Sequence, residues 1–312
     1  MKPLLYLLAL TLIIIAPFHG QIPIELYNLD NPTTVDYKLF WDIRLPRVLV
    51  AFFAGGILAL GGLIFQSLFK NPMSTPYTLG VASGSTLGVA FAIVFGFSSM
   101  LSLFGFFGAL FTVVILFALT LKLKSYETNA LLLVGIALAF FYNAALMILF
   151  YLSDESQSFE IIRFTMGSVD VVGLENTLPI IFASLGLLAL STFYKKELKL
   201  LLTSNDYAYL KGVNVKRTNT VLLVSVSIAV GVCVSLTGPI GFVGLIIPHI
   251  IKTVYKKSAE QLILPIFFYG GFFLVVSDLI ARNLGSSSDI PIGIITAFLG
   301  GPFFIYLIMK KR

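Results

Sequence analysis

The chain has 312 residues, 58% hydrophobic and only 12% charged, with a net charge of +6. A soluble domain carries about 25% charged residues, so this composition excludes a soluble enzyme and describes an integral membrane protein. One cysteine, Cys233, excludes an internal disulfide, and two distant histidines, His19 and His249, argue against a metal site. The length suits a single transmembrane domain over residues 1–312, an all-α bundle of about ten spans with short connections.

Apolar runs predict spans near Leu4–Phe18, Val48–Phe69, Thr78–Phe97, Leu101–Leu121, Ala130–Leu152, Leu178–Tyr194, Thr220–Leu236, Ile240–Val254, Leu262–Ala281 and Ile292–Met309. The first run opens like a secretory signal, with Lys2 before an apolar core. Pro17-Phe18-His19 stands where a small-residue cleavage site belongs, so a retained helix is expected. The loop before the second span ends in Arg44 and Arg47, and Arg282 lies near the same end of a later span. A guanidinium fork suits a partner's carboxylate, but headgroup anchoring is an equally physical use. For Arg282 a local partner exists as well, because Asp278 sits four residues earlier on one helix face.

The turn Phe69–Pro76 holds Asn71, Pro72, Met73 and Pro76, a stop for one helix and a start for the next. Gly80, Gly84 and Gly88 then recur every fourth residue, a spacing that lets a neighbouring backbone approach. Lys195–Arg217 predicts two short helices, with caps offered by Thr203–Asp206 and by Gly212. Its leucines, with Tyr207 or Tyr209, form a surface for a partner protein or for lipid. Thr237–His249 is broken by Gly238, Pro239, Gly241, Gly244 and Pro248 between two apolar runs. Irregular backbone at that depth has to be sheltered by protein or line a wet cavity. With no charged or metal-binding company, these five residues are read as a packing and hinge element.

With the N-terminus inside, 16 of the 21 basic residues fall on cytoplasmic pieces, against 5 outside with 11 of the 15 acids. That bias places both termini in the cytoplasm and assigns the charge to orientation in the cytoplasmic membrane, not to nucleic acid. No GxxxxGK[ST], GxSxG or HExxH occurs. Polar groups within spans reduce to Gln66, Tyr142, Asn143, His249 and Asp278. An ion-coupled secondary transporter would keep ionisable groups near the midplane, and an intramembrane enzyme would need a nucleophile and base. Both are disfavoured, so the energy source is expected outside the chain.

The segment RLPRVLVAFFAGGILALGGLIFQSLFKNPMSTPYTLGVASGSTLG, then FTMGSVD, GPIGFVGLIIPH, DLIAR and IPIGIITAFLGGPFFIYLI, resembles the FecCD/BtuC-type permeases of ABC importers for iron-siderophore, haem and vitamin B12. The resemblance implies a second permease subunit, identical or similar, two ATP-binding subunits that use ATP and Mg, and a substrate-binding protein. No cofactor, and no metal, is implied on this chain. It further implies that Arg44, Arg282 and Arg47 dock the binding protein. The short helix pair becomes the coupling element, whose family pattern is roughly Gly-Glu-x-x-Ala-x-x-Leu-Gly. Ala208 and Gly212 match it, while Ser204, Asn205 and Lys211 depart from it, and Asp206 lies at a free position. Cytoplasmic gates map to Thr128 and Asn129, and to Asn71 and Met73. The implied cargo is an iron chelate carried by alternating access, with cobalamin or molybdate as the alternative.

Overall fold

A computed structural model describes residues 2–122, 128–284 and 289–310. Every regular element among them is a helix, as hydrocarbon requires of a chain that has to satisfy its own backbone groups. In order these are α1 (Lys2–Ile15), α2 (Val35–Lys38), α3 (Leu45–Phe69), α4 (Val81–Val94), α5 (Leu101–Lys122), α6 (Thr128–Leu152) and α7 (Glu155–Thr165). There follow α8 (Leu178–Phe193), α9 (Lys195–Thr203), α10 (Asn205–Leu210), α11 (Val215–Thr237), α12 (Val243–Tyr255), α13 (Ala259–Leu284) and α14 (Ile292–Lys310). Each predicted span has its helix. Among the described residues six are long and apolar enough to cross a membrane, namely α3, α5, α6, α8, α11 and α13, and the chain is a multi-pass membrane protein.

The centre is α3. Every residue from Ala54 to Phe69 is buried, with α8, α11, α12 and α13 packed around it. By contrast α6 turns Phe140, Phe141, Met147 and Tyr151 outward. In a bilayer such side chains meet tails as apolar as themselves, so close helix packing has to come from small residues. The α4–α5 crossing shows this. A Cβ on Gly84 would lie 2.3 Å from the Thr112 hydroxyl, and one on Gly108 would lie 2.1 Å from the Gly84 carbonyl. Gly88 meets the Phe104 carbonyl in the same way. Gly80, the third member of the predicted stripe, belongs elsewhere: it caps α4 at φ 77° and faces α6 at Gly135.

The predicted break is real and sits against α3. Helix α11 ends at Thr237, Gly238 takes φ 65°, and Phe242 takes φ 67° before α12 begins at Val243. The expected span Ile240–Val254 therefore starts later and is shorter. Thirteen residues at about 1.5 Å each reach only about 20 Å, less than the roughly 30 Å of hydrocarbon. The backbone groups freed by the break find protein partners. The Thr237 carbonyl accepts from the Ser168 N–H at 2.7 Å, and the Ile240 N–H donates to the Tyr77 hydroxyl. Gly241 accepts from the Val243 N–H at 2.8 Å.

Gly244 and Gly62 then bring α12 and α3 into backbone contact, and a Cβ on Gly62 would lie 1.9 Å from the Gly244 carbonyl. That carbonyl has a further peculiarity. Its helical donor would be residue 248, which is proline and has no N–H. Gln66 supplies the missing donor from α3, its Nε2 3.2 Å from the Gly244 carbonyl. The other end of the same amide, Oε1, accepts from Lys252 Nζ at 3.0 Å. One amide thus repairs a proline defect and anchors a cation.

Candidate functional sites at the two ends of the bundle

At one end, a wide π-type turn over Leu39–Arg44 feeds directly into α3. It places Arg44 and Arg47 one helical turn apart. Arg47 is a hub. Its Nε donates to Asp278 Oδ1 at 2.7 Å, and its Nη1 meets Asp170 Oδ1 at 2.7 Å and Asp289 Oδ2 at 2.5 Å. Asp278 is fully buried on α13 and also faces Arg282 Nε at 3.4 Å, the i,i+4 pair anticipated from the sequence.

Arg44 and Arg282, 5% and 4% exposed, are clasped by the segment that follows α1. Arg282 Nη2 donates to the Ala16 carbonyl at 2.9 Å, and Arg44 donates to the carbonyls of Phe18, at 3.3 Å, and of Ile22. Gln21 returns a bond to the Arg282 carbonyl at 3.0 Å. Gly20 lets the strap lie flat, since a Cβ there would stand 2.9 Å from Arg44 Cζ. All three arginines that the sequence offers to a partner are therefore turned inward. The reason is charge: a guanidinium with carboxylates or carbonyls in reach is better paired than solvated at a helix end. Asp170 and Asp289 are the members of this cluster that sequence reading did not single out. The Arg47–Asp289 pair is 242 residues apart in sequence, and only the excess of acids on this side hinted at it.

The other end is rich in lysine. Ser204 caps α10, its hydroxyl accepting from the Tyr207 N–H at 2.8 Å, and Asn205 and Asp206 form the first turn. Ala208 is buried, and Gly212 closes the helix at φ 83°, its N–H donating to the Tyr209 carbonyl at 2.9 Å. Two helices were expected here and two are present. The leucine patch is not the exposed surface it was expected to be. Leu198 and Leu201 of α9 are buried against α3 and α13, because an amphipathic helix turns its apolar stripe toward the bundle. Lys199 Nζ ties α9 to α13 through Glu260 Oε1 at 3.0 Å. What remains outward is Tyr207, Tyr209 at 73% exposed and Leu210 at 80%.

The turn after α3 stands beside this pair. Lys70 takes a left-handed conformation, the Asn71 side chain accepts from the Met73 N–H at 2.9 Å, and Met73 is exposed. Partial burial pulls the Lys70 ammonium below its ordinary range, and the nearby Asp206 carboxylate opposes that shift. The residue after α3 and the first turn of α10 are therefore electrostatic neighbours. Thr128 and Asn129 begin α6, but their side chains lie outside the described residues.

The description of the FecCD transport family matches residues 6–310. The hemin transport system permease protein of Yersinia pestis is 33% identical over 94% of this chain and 90% of its own length. The vitamin B12 import system permease of Yersinia pseudotuberculosis is 32% identical over 88% of this chain and 83% of its own. Among solved structures, an inward-facing metal-chelate type ABC transporter superposes with a TM-score of 0.84 at 30% identity, covering 99% of both chains. Helix for helix and end to end, the chain belongs to the FecCD transport family and is a permease subunit of an ABC importer.

Proposed function

We propose that this permease carries a metal chelate, a ferric siderophore or haem, into the cytoplasm. The observation that supports this most is the likeness, along the whole chain, to a hemin permease and to a metal-chelate type transporter. A chelate whose ligands wrap the metal needs no charged cage, which accords with spans whose charged groups gather at the two ends. Cobalamin is the second reading, favoured by the B12 permease at nearly the same identity.

ATP hydrolysis on two separate subunits, with Mg, drives the cycle, and this chain supplies no ATPase site. Those subunits meet Tyr207, Tyr209 and Leu210 on α10, with Ser204, Asn205, Asp206, Ala208 and Gly212 setting the shape of that helix. The attraction between Asp206 and Lys70 passes movement of the pair to Asn71 and Met73, which gate the path with Thr128 and Asn129. A second permease copy or a similar chain completes the path, and both termini lie in the cytoplasm. A substrate-binding protein docks at the arginine end. Arg44, Arg47 and Arg282 serve it by fixing the strap and the loops of Asp170 and Asp289, which form the surface it meets.

The test is reconstitution with the cognate ATPase and binding protein in liposomes, measuring uptake of haem, a ferric siderophore and cobalamin. ATP-dependent uptake of a ferric chelate or haem over cobalamin is expected. Uptake that ignores ATP and follows a proton gradient overturns the importer mechanism, and preference for cobalamin overturns the cargo.

A further inference from the structure

The strap and the arginines enclose a cavity. It has a volume of about 180 Å³ and is lined by Gly20, Gln21 and Ile22 of the strap and by Arg44, Arg47, Arg282 and Asp289. Arg282 is 4% exposed, yet among the described residues its Nη1 has no hydrogen-bond partner. Charge around the cavity is unevenly shared. Arg47 holds all three carboxylates of the cluster, and Asp278 is divided between Arg47 and Arg282. Among the described residues no carboxylate comes within 4 Å of Arg44, whose acceptors are two carbonyls. Arg282 thus keeps a buried donor without an acceptor among the described residues, which is costly unless a ligand oxygen completes it.

A second feature adjoins the first. Between α1 and α13 runs an apolar groove of about 650 Å³, lined by Leu5, Leu8, Leu12, Ile15, Phe272 and Leu279 among others. The same segment borders both. Ala16 and His19 line the groove, while Gly20, Gln21 and Ile22 line the cavity. Arg282 holds the Ala16 carbonyl, and Leu279 lies one turn before Arg282 on α13. Guanidinium groups in the cavity and an apolar groove therefore stand on either side of one strap, at the end of α1 and α13 where a bilayer changes from hydrocarbon to headgroup.

We infer that one anionic phospholipid is a fixed part of this permease, its phosphate in the cavity on Arg44 and Arg282 and an acyl chain between α1 and α13. Phosphate oxygens match the guanidinium fork, and give Arg282 Nη1 the acceptor that the aspartates, gathered on Arg47, do not. A free anion would use only the cavity, and a zwitterionic lipid would bring a second positive group up against Arg44 and Arg282. The strap becomes a clip over the lipid, which ties α1 to α13.

The full chain, purified in a neutral detergent, is offered phosphatidylglycerol, phosphatidylcholine, inorganic phosphate and a glutamate-rich peptide, and followed by native mass spectrometry and thermal unfolding. Phosphatidylglycerol is expected to stay bound one to one and to raise the unfolding temperature, while the other three do neither. Arg282→Gln should weaken phosphatidylglycerol about tenfold, the worth of one charge-assisted bond. Because that variant also loses the Asp278 pair, Leu8→Trp provides the independent arm. It fills the groove, leaves the arginines in place, and should abolish lipid retention without changing the lipid-free unfolding temperature. Equal binding of the two lipids, or equal binding to Leu8→Trp and the parent, overturns the inference. So does stabilisation by phosphate alone or by the peptide without the lipid.

Discussion

Gln66 is where a single substitution tests most about how α12 is held. In Gln66→Leu the volume is nearly kept, but the Gly244 carbonyl loses the donor that sits at 3.2 Å, and Pro248 prevents the helix from replacing it. A buried carbonyl left unsatisfied costs about 1–3 kcal/mol. Lys252 loses the acceptor at 3.0 Å, but its part-buried ammonium can turn toward water at the lysine end, so its share is smaller. The expected destabilisation is about 2 kcal/mol. Pro248→Ala restores an N–H four residues after Gly244, so it should return about 1–1.5 kcal/mol in the Gln66→Leu background. In the parent its benefit should be smaller, because Gln66 already serves the carbonyl. Loss of the proline also loosens the unfolded chain, but equally in both backgrounds, so the four-member cycle cancels it. The assay is unfolding of the four proteins in one detergent, by heat or by denaturant. A shift from Pro248→Ala that is equal in the two backgrounds refutes the repair.

Three further outcomes are expected. Arg47→Gln leaves three carboxylates facing one another, one of them fully buried, and should destabilise the chain by about 3–5 kcal/mol. Asp289→Asn, at the solvated edge of the same cluster, should cost about 1 kcal/mol or less. Comparable losses for the two, in the same unfolding assay, would show that Arg47 is not the hub. Leu210→Ala should lower ATP-driven uptake and ATPase-subunit retention on a pull-down severalfold while leaving the unfolding temperature unchanged, because the side chain touches solvent and not the bundle.

Much of the architecture was legible in the chain because hydrocarbon leaves so few options. The ten apolar runs could only be helices, and the charged clusters between them mark their ends. Local chemistry was legible for the same reason: Ser204 and Gly212 sit where a short helix needs its caps, and Asp278 and Arg282 share one helix face. What could not be read were pairings between distant segments. Arg47 looked like a partner-facing cation because its carboxylates, two in loops and one on α13, lie far along the sequence. The leucines of α9 looked exposed because the surface that buries them is made by α3 and α13. Gly80 fell into a stripe by spacing alone, yet its left-handed backbone gives it a different task from Gly84 and Gly88. Gln66 was visible as an isolated polar residue in a span, but its meaning depends on a proline in another helix.

The contact of Gly62 with Gly244 bears on how the permease can change shape. Helices slide past one another when side chains lie between them and can swap rotamers. Here main chain rests on main chain, and the Gln66 bond lies one turn further along the same crossing. The expected consequence of this joint is that α3 and α12 move together at their crossing.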